Sequence, residues 1–206
     1  MKEKGLLTVV SGFSGAGKGT LMKGLLSKYD NYALSVSMTT RAPRPGEENG
    51  REYFFITREQ FEKNIADGKL IEHAQYVGNY YGTPKDYVFE QLEAGKDVLL
   101  EIEIQGALQI KKKFPEALLL FVTTKDAQTL VSRLKGRGTE EEDVIIKRLK
   151  RAAEESEGIE EYEYLIVNDD LDTCIEDMND IIQKAKLRAD RNKEFIEKIR
   201  KELKDI

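Results

Sequence analysis

Residues 6–20 read LLTVVSGFSGAGKGT, and no other stretch of the chain restricts its fold as severely. The apolar run Leu6-Leu7-Thr8-Val9-Val10 suits a buried strand, and the residues after Gly17 suit the start of a helix. Between them, Gly12, Gly17 and Lys18 fit the pattern G-x-x-x-x-G-K. Glycines let the backbone turn tightly enough for several N–H groups to face one cavity. The helix N-terminus adds positive potential there, and Lys18 adds a point charge. Strand, glycines, lysine and helix in this order predict a cradle for a nucleoside triphosphate. The cradle does not say what receives the phosphate. Gly19 stands where such loops usually carry Ser or Thr, so the hydroxyl turned toward Mg²⁺ must come from Thr20 or from water.

The remaining chain repeats short Val/Ile/Leu-rich runs between longer amphipathic segments. Strands are predicted at Leu6–Ser11, Val98–Ile104, Leu118–Thr123 and Tyr164–Val167. Continuous apolar strands separated by helices indicate a parallel sheet covered on both faces. Thr57 with Gln60, and Thr139 with Glu142, have capping-box spacing. Thr83 followed by Pro84 reads as a cap and a first helical residue, with Gly95 closing that helix.

Two regions break the alternation. Residues 36–83 hold several short extended pieces and one short helix, as an inserted mixed lobe would. Residues 126–158 are helical and densely charged, as a movable lid would be. Core segments 1–35, 84–125 and 159–206 remain around them in what reads as one domain. The tail from Leu171 to Ile206 is predicted as one long amphipathic helix or two in succession. Its second half is expected to dock on the core, to protrude, or to pair with another copy in a homodimer.

Composition excludes several functions. A net charge of -5 leaves no face-wide excess of Lys and Arg for nucleic acid. No apolar stretch approaches the roughly 20 residues of a membrane span, so no membrane partner is expected. The single cysteine, Cys174, cannot form an internal disulfide and suits a reducing, cytoplasmic setting.

The inserted region carries the acceptor chemistry. Arg41 and Arg44 flank Pro43, and two guanidinium forks so close suit a monophosphate dianion, although loop arginines are also often merely solvated. Tyr53 and Tyr81 can add phenolic hydrogen bonds. Glu72 lies in alternating, strand-like sequence. A buried carboxylate there would accept from the N1–H and exocyclic amine of guanine and reject adenine, which lacks that donor pair; otherwise it faces solvent. Glu101 and Glu103 are two apart on an apolar strand, hence on one face, where Mg²⁺ ligands, direct or through water, are expected, although one of the two could instead cap a neighbouring helix. Asn168 ends a strand and is expected either to contact the adenine side of a donor nucleotide or to form a turn. Lys147, Lys150 and Arg151 read as a solvated face.

Taken together, the segments SGFSGAGKGT, SVSMTTRAPRPGE, GREYFF, LIEHAQYVGNYYGTP, VLLEIEIQGA, RLKGRGTE and VNDDLD resemble guanylate kinase of the bacterial type, from about Gly5 to about Asp172. The resemblance implies an α/β P-loop kinase with a parallel sheet wrapped by helices, a GMP-binding lobe and a helical lid. It implies Mg-dependent transfer of the ATP γ-phosphoryl group to GMP, and to dGMP, in purine metabolism. The loop Gly12, Phe13, Ser14, Gly15, Ala16, Gly17, Lys18, Gly19 and Thr20 would hold ATP together with Arg133, Arg137 and Asn168. Lys18, Arg137 and Arg148 would be catalytic. Ser37, Arg41, Arg44, Tyr53 and Tyr81 would hold the GMP phosphate. Glu72, Thr83 and Glu103 would read guanine, and Thr20, Glu101 and Glu103 would face Mg²⁺. Two positions depart from the family pattern. Glu103 stands where Asp is frequent, which leaves open whether it meets the base directly or through water. Phe13 stands where Pro is common.

Two rival classes share parts of this pattern. A catalytically silent kinase-like binding module would not need Lys18, Arg137 and Arg148. A P-loop GTPase would need an Asn-Lys-x-Asp element, which the sequence lacks. Transfer to another small phosphate ester is a third possibility on the same fold.

Overall fold

The computed structural model describes residues 4–76, 78–136 and 142–205. Its centre is a five-stranded sheet of β1 (Leu7–Gly12), β2 (Tyr32–Leu34), β7 (Asp97–Glu101), β8 (Leu118–Thr123) and β9 (Tyr164–Val167). The order is β2-β7-β1-β8-β9, and every pairing is parallel, with Val9 opposite both Leu100 and Leu119. Alternation along β1 and β8 explains why these strands read as unbroken apolar runs. Leu6, Val10, Leu118, Leu120 and Val122 enter one core, whereas Leu7, Val9, Leu119 and Phe121 enter the other. The first core is closed by α1 (Lys18–Lys28) and α7 (Leu171–Ala185), through Leu21, Met22 and Leu25 against Ile175, Met178 and Ile182. The second is closed by α3 (Lys85–Glu93) and α4 (Ile104–Lys113), through Val88, Leu92, Ala107 and Ile110.

A second sheet, in the order β4-β3-β6-β5, comprises β3 (Met38–Thr39), β4 (Phe54–Phe55), β5 (Leu70–Tyr76) and β6 (Asn79–Pro84). It is mixed: β3 runs parallel to β4 and antiparallel to β6. Its helix α2 (Arg58–Ala66) starts with the predicted capping box, in which the Thr57 hydroxyl accepts from Gln60 N and the Gln60 side chain accepts from Thr57 N. The region expected to form a lid contributes α5 (Ala127–Gly136) and α6 (Glu142–Ser156), joined by a small core of Leu130, Leu134, Ile145 and Ala152. The tail is two helices in succession, α7 and α8 (Lys193–Lys204). No helix among the described residues is long and apolar enough to cross a membrane.

Three expectations are corrected. Strand β7 stops at Glu101, three residues before the predicted Ile104, because its ladder with β1 ends at Val10 and the Ser11 hydroxyl takes the Ile102 carbonyl at 2.6 Å. Glu103 is therefore not on the strand face with Glu101; it is the N-cap residue of α4. Thr83 does not cap α3, whose N-cap position is Pro84; its hydroxyl is committed to Glu72. Gly95 does follow the end of α3, with φ 84°. The Thr139–Glu142 capping pair and Arg137 lie outside the described residues.

Candidate active site

The ends of β1 and β7, the N-termini of α1 and α4, the second sheet and α6 enclose one cleft of about 1100 Å³. One side of it is the loop after β1, the expected donor cradle. Gly17 caps α1 in a left-handed conformation, with φ 90°, and a side chain there would meet the Asn168 amide at 2.5 Å. Both constraints demand glycine. Lys18 is folded across the loop, donating to the carbonyls of Gly12 at 2.7 Å and Phe13 at 3.2 Å. Gly12, Ser14, Gly15, Gly17, Lys18, Gly19 and Thr20 line the cleft.

The loop is braced from behind. Buried Asn168 donates to the Ala16 carbonyl at 2.8 Å, so the amide at the end of β9 supports the cradle. Arg133 donates to Ala16 O at 3.2 Å and to Asn168 O at 2.8 Å, joining α5 to the same point. Arg148, on α6, reaches the Ser14 hydroxyl at 2.9 Å. Phe13 packs against both sheet cores and the lid core, and its ring meets Phe121 edge-on at 5.1 Å. A large ring at this loop position therefore substitutes packing for a stiff backbone.

On the side expected to take the acceptor, Arg41 and Arg44 line the cleft with Ser37, Tyr53, Tyr81 and Glu72. Arg41 pairs with Glu47 at 2.9 Å and lies over the Tyr53 ring, while Glu47 also accepts from Arg44 N at 2.7 Å. Glu47, unnoticed in the sequence, thus fixes the turn that carries both arginines. Its own hydrogen bonds hold its carboxyl below the ordinary range despite partial desolvation. Tyr53 and Tyr81 meet edge-on at 5.9 Å, and burial pushes the Tyr53 phenol up to about 12, keeping it a hydrogen-bond donor.

Glu72 is 3% exposed. Its Oε1 accepts from the Thr83 hydroxyl at 2.6 Å across the β5–β6 pair. Burial pushes its carboxyl upward, opposed by the Thr83 hydrogen bonds and by Lys113. Glu101 and Glu103 also open onto the cleft, although from different elements. Desolvation raises Glu101, Lys18 lowers it, and Glu103 raises it.

Sequence reasoning missed the face that α6 turns to the cleft. Lys147, Lys150 and Arg151 are not merely a solvated surface, since all three line the cleft with Glu154 and Glu155. Arg151 lies 3.6 Å from Glu103 and 3.1 Å from Glu155. Burial, reinforced by Glu103, pushes Glu155 up to about 7. Charge at 147–151 looks like solubility in one dimension. Only the approach of α6 to α4 gives it a site.

Residues 4–185 match the protein family described as guanylate kinase. The chain belongs to the guanylate kinase family. A guanylate kinase from Streptococcus thermophilus is 52% identical over 192 residues, covering 93% of this chain and 92% of that one. One from Caldanaerobacter subterraneus subsp. tengcongensis is 48% identical over 202 residues, covering 98% of each. The crystal structure of guanylate kinase from Anaplasma phagocytophilum matches with a TM-score of 0.76 at 32% identity, covering 92% of this chain and 90% of that one. In this guanylate kinase, the described cleft holds every residue assigned to the acceptor phosphate from sequence, together with Glu72. Thr83 joins them through its bond to Glu72.

Proposed function

We propose that the two ends of the cleft hold ATP and GMP with their phosphates facing each other, and that this juxtaposition is the catalytic device. As a guanylate kinase, the chain is an ATP:GMP phosphotransferase. The single observation that supports the residue roles is that one cleft joins the Gly12–Thr20 loop to Arg41, Arg44, Tyr53, Tyr81 and Glu72. On this reading the loop N–H groups and Lys18 hold the ATP phosphates. Arg148 and Arg137 stabilise charge on the transferring group, and Arg133 with Asn168 keeps the cradle in place. The acceptor is already a phosphate oxygen, so positioning and charge stabilisation suffice without a dedicated base. Residues 126–158 serve as the lid and 36–83 as the GMP lobe, excluding water that would otherwise compete for the phosphoryl group.

Mg²⁺ fits the oxygens present. Thr20, Glu101 and Glu103 are hard donors on the same cleft. Among the described residues no cluster of three or more His, Cys, Asp or Glu forms a protein-only cage. That suits an ion carried on nucleotide phosphates with much of its water retained. When bound, the ion supplies positive charge to the phosphoryl oxygens. The same site would accept dGMP, since no residue given a role in it addresses the ribose.

Cys174 is buried and donates to Val167 O at 3.2 Å, consistent with a thiol kept reduced in the cytoplasm. Pairing of two copies through α8 is favoured by its exposed Phe195, Ile199 and Leu203; a monomeric mass by light scattering at micromolar concentration would remove that reading. Replacing Lys18 with alanine tests the phosphate cradle. Transfer should be abolished with the melting temperature intact, and unchanged turnover would refute the assignment.

A further inference from the structure

We infer that Gly106 is a positioning residue for base recognition: its missing side chain is what lets the Glu72 carboxylate lie against the first turn of α4. The inference rests on the reading of Glu72 as the acceptor for guanine.

The geometry is specific. A Cβ built on Gly106 would lie 2.6 Å from Glu72 Oε2 and 3.3 Å from Glu72 Cδ. The remaining close neighbour is the Ile102 Cδ1 methyl at 3.2 Å, the flexible end of a side chain. No backbone atom is among the three nearest, so close element packing does not explain the glycine. Backbone conformation does not explain it either. Gly106 sits inside α4 and is not among the glycines with positive φ. Helix propensity alone would favour alanine there.

Glu72 has little room to yield. It is buried, and its other oxygen is tied to Thr83 at 2.6 Å. A methyl at 106 would have to push Oε2 away by several tenths of an ångström, rotating the carboxylate about the Thr83 anchor. The present position has an electrostatic advantage as well. Gly106 is the third residue of α4 after its N-cap, Glu103, and Ala107 N is the amide that bonds back to Glu103 O at 3.0 Å. The amides ahead of it are the unpaired, positive end of the helix dipole. A carboxylate against that end is helped to stay ionised despite burial, and only the ionised form offers two acceptors to guanine. Gly106 would therefore set both where the base acceptor sits and the charge it carries, without touching the nucleotide itself.

The test is a double-mutant cycle on the whole enzyme. It reads kcat/KM for GMP, KM for ATP and melting temperature for the native protein, Gly106→Ala, Glu72→Ala and the double variant. Gly106→Ala should lower kcat/KM for GMP about tenfold or more, as misplacement of a binding group on this scale does, with KM for ATP within about twofold. In the Glu72→Ala background the same change should cost less than about twofold, because the atom it displaces is gone. Equal losses in both backgrounds, or no loss in either, would overturn the inference. If Gly106→Ala alone fails to fold, recovery of the melting temperature in the double variant supports the carboxylate clash, and no recovery overturns it. If Glu72→Ala itself leaves GMP use unchanged, the base reading falls and takes this inference with it. A defective Glu72→Ala with a silent Gly106→Ala overturns the inference alone.

Discussion

Replacing Glu72 with glutamine changes one atom and almost no volume, so its effect can be derived from the contacts on each side of the carboxylate. One oxygen accepts from Thr83 at 2.6 Å, and the other lies against the first turn of α4. If the amide oxygen keeps Thr83, the NH₂ takes the place of Oε2 and confronts the positive helix end and the guanine donors. If the amide is reversed, the Thr83 hydroxyl loses its acceptor. In the first orientation a donor meets donors; in the second the Thr83 hydroxyl must turn to accept from the NH₂, and in both a charge-assisted bond to the carboxylate is lost. Each charge-assisted bond accepted by a carboxylate is worth about 1.5–3 kcal/mol. Losing one corresponds to roughly 10- to 150-fold in kcat/KM for GMP, at 1.36 kcal/mol per factor of ten. KM for ATP should stay within about twofold, because the loop proposed to hold ATP lines a different part of the cleft. Coupled ADP-formation kinetics with either nucleotide varied separates the two effects. A glutamine variant with native kcat/KM for GMP would refute the argument that this carboxylate reads the base.

The raised carboxyl of Glu72 also predicts a pH dependence. Protonation removes an acceptor, so kcat/KM for GMP should fall on acidification, with its midpoint above the usual carboxylate value near 4.3. The glutamine variant should lack that limb, and an identical limb in both proteins would assign it elsewhere. Asp97 tests stability apart from function. It is fully buried at the start of β7, accepting from Leu6 N at 2.8 Å and Gln183 Nε2 at 3.0 Å, with Lys186 at 3.3 Å. Asp97→Asn would leave the Lys186 ammonium, 15% exposed, without its counter-charge, costing about 3 kcal/mol and lowering Tm by about 6–12 °C. Steady-state constants at 25 °C should not change, because Glu101 and the cleft lie at the opposite end of the strand; an unchanged Tm would show that the charge pairing adds nothing.

The parts of the fold legible in the sequence were those written in local pattern. Strands β8 and β9 have the predicted bounds: β8 is buried on both faces, and β9, the edge strand with only Ile166 buried, is held by its parallel ladder to β8. The Thr57 box is readable because cap and partner are three residues apart. The errors arose where a residue answers to a distant one. Thr83 has the sequence of a cap, but a buried carboxylate eleven residues earlier claims its hydroxyl. The alternation of VLLEIEI continues past Glu101, yet the ladder with β1 ends at Val10, so the chain turns into α4 and moves Glu103 to its N-cap. The cradle and the two arginines were visible as motifs. Glu47, Arg151 and Gly106 were not, because their importance depends on the loop, lid and helix that they approach.

The most direct measurement of the central claim is ADP formation from Mg-ATP with GMP, AMP, CMP and UMP supplied separately. Turnover confined to GMP is the expected result, since the loop, the arginine pair and the buried Glu72 must all act together to give it. Equal turnover with AMP would contradict base reading by Glu72. No turnover with any of the four, in folded protein that still binds ATP, would contradict the assignment of the cleft as a joint site for donor and acceptor.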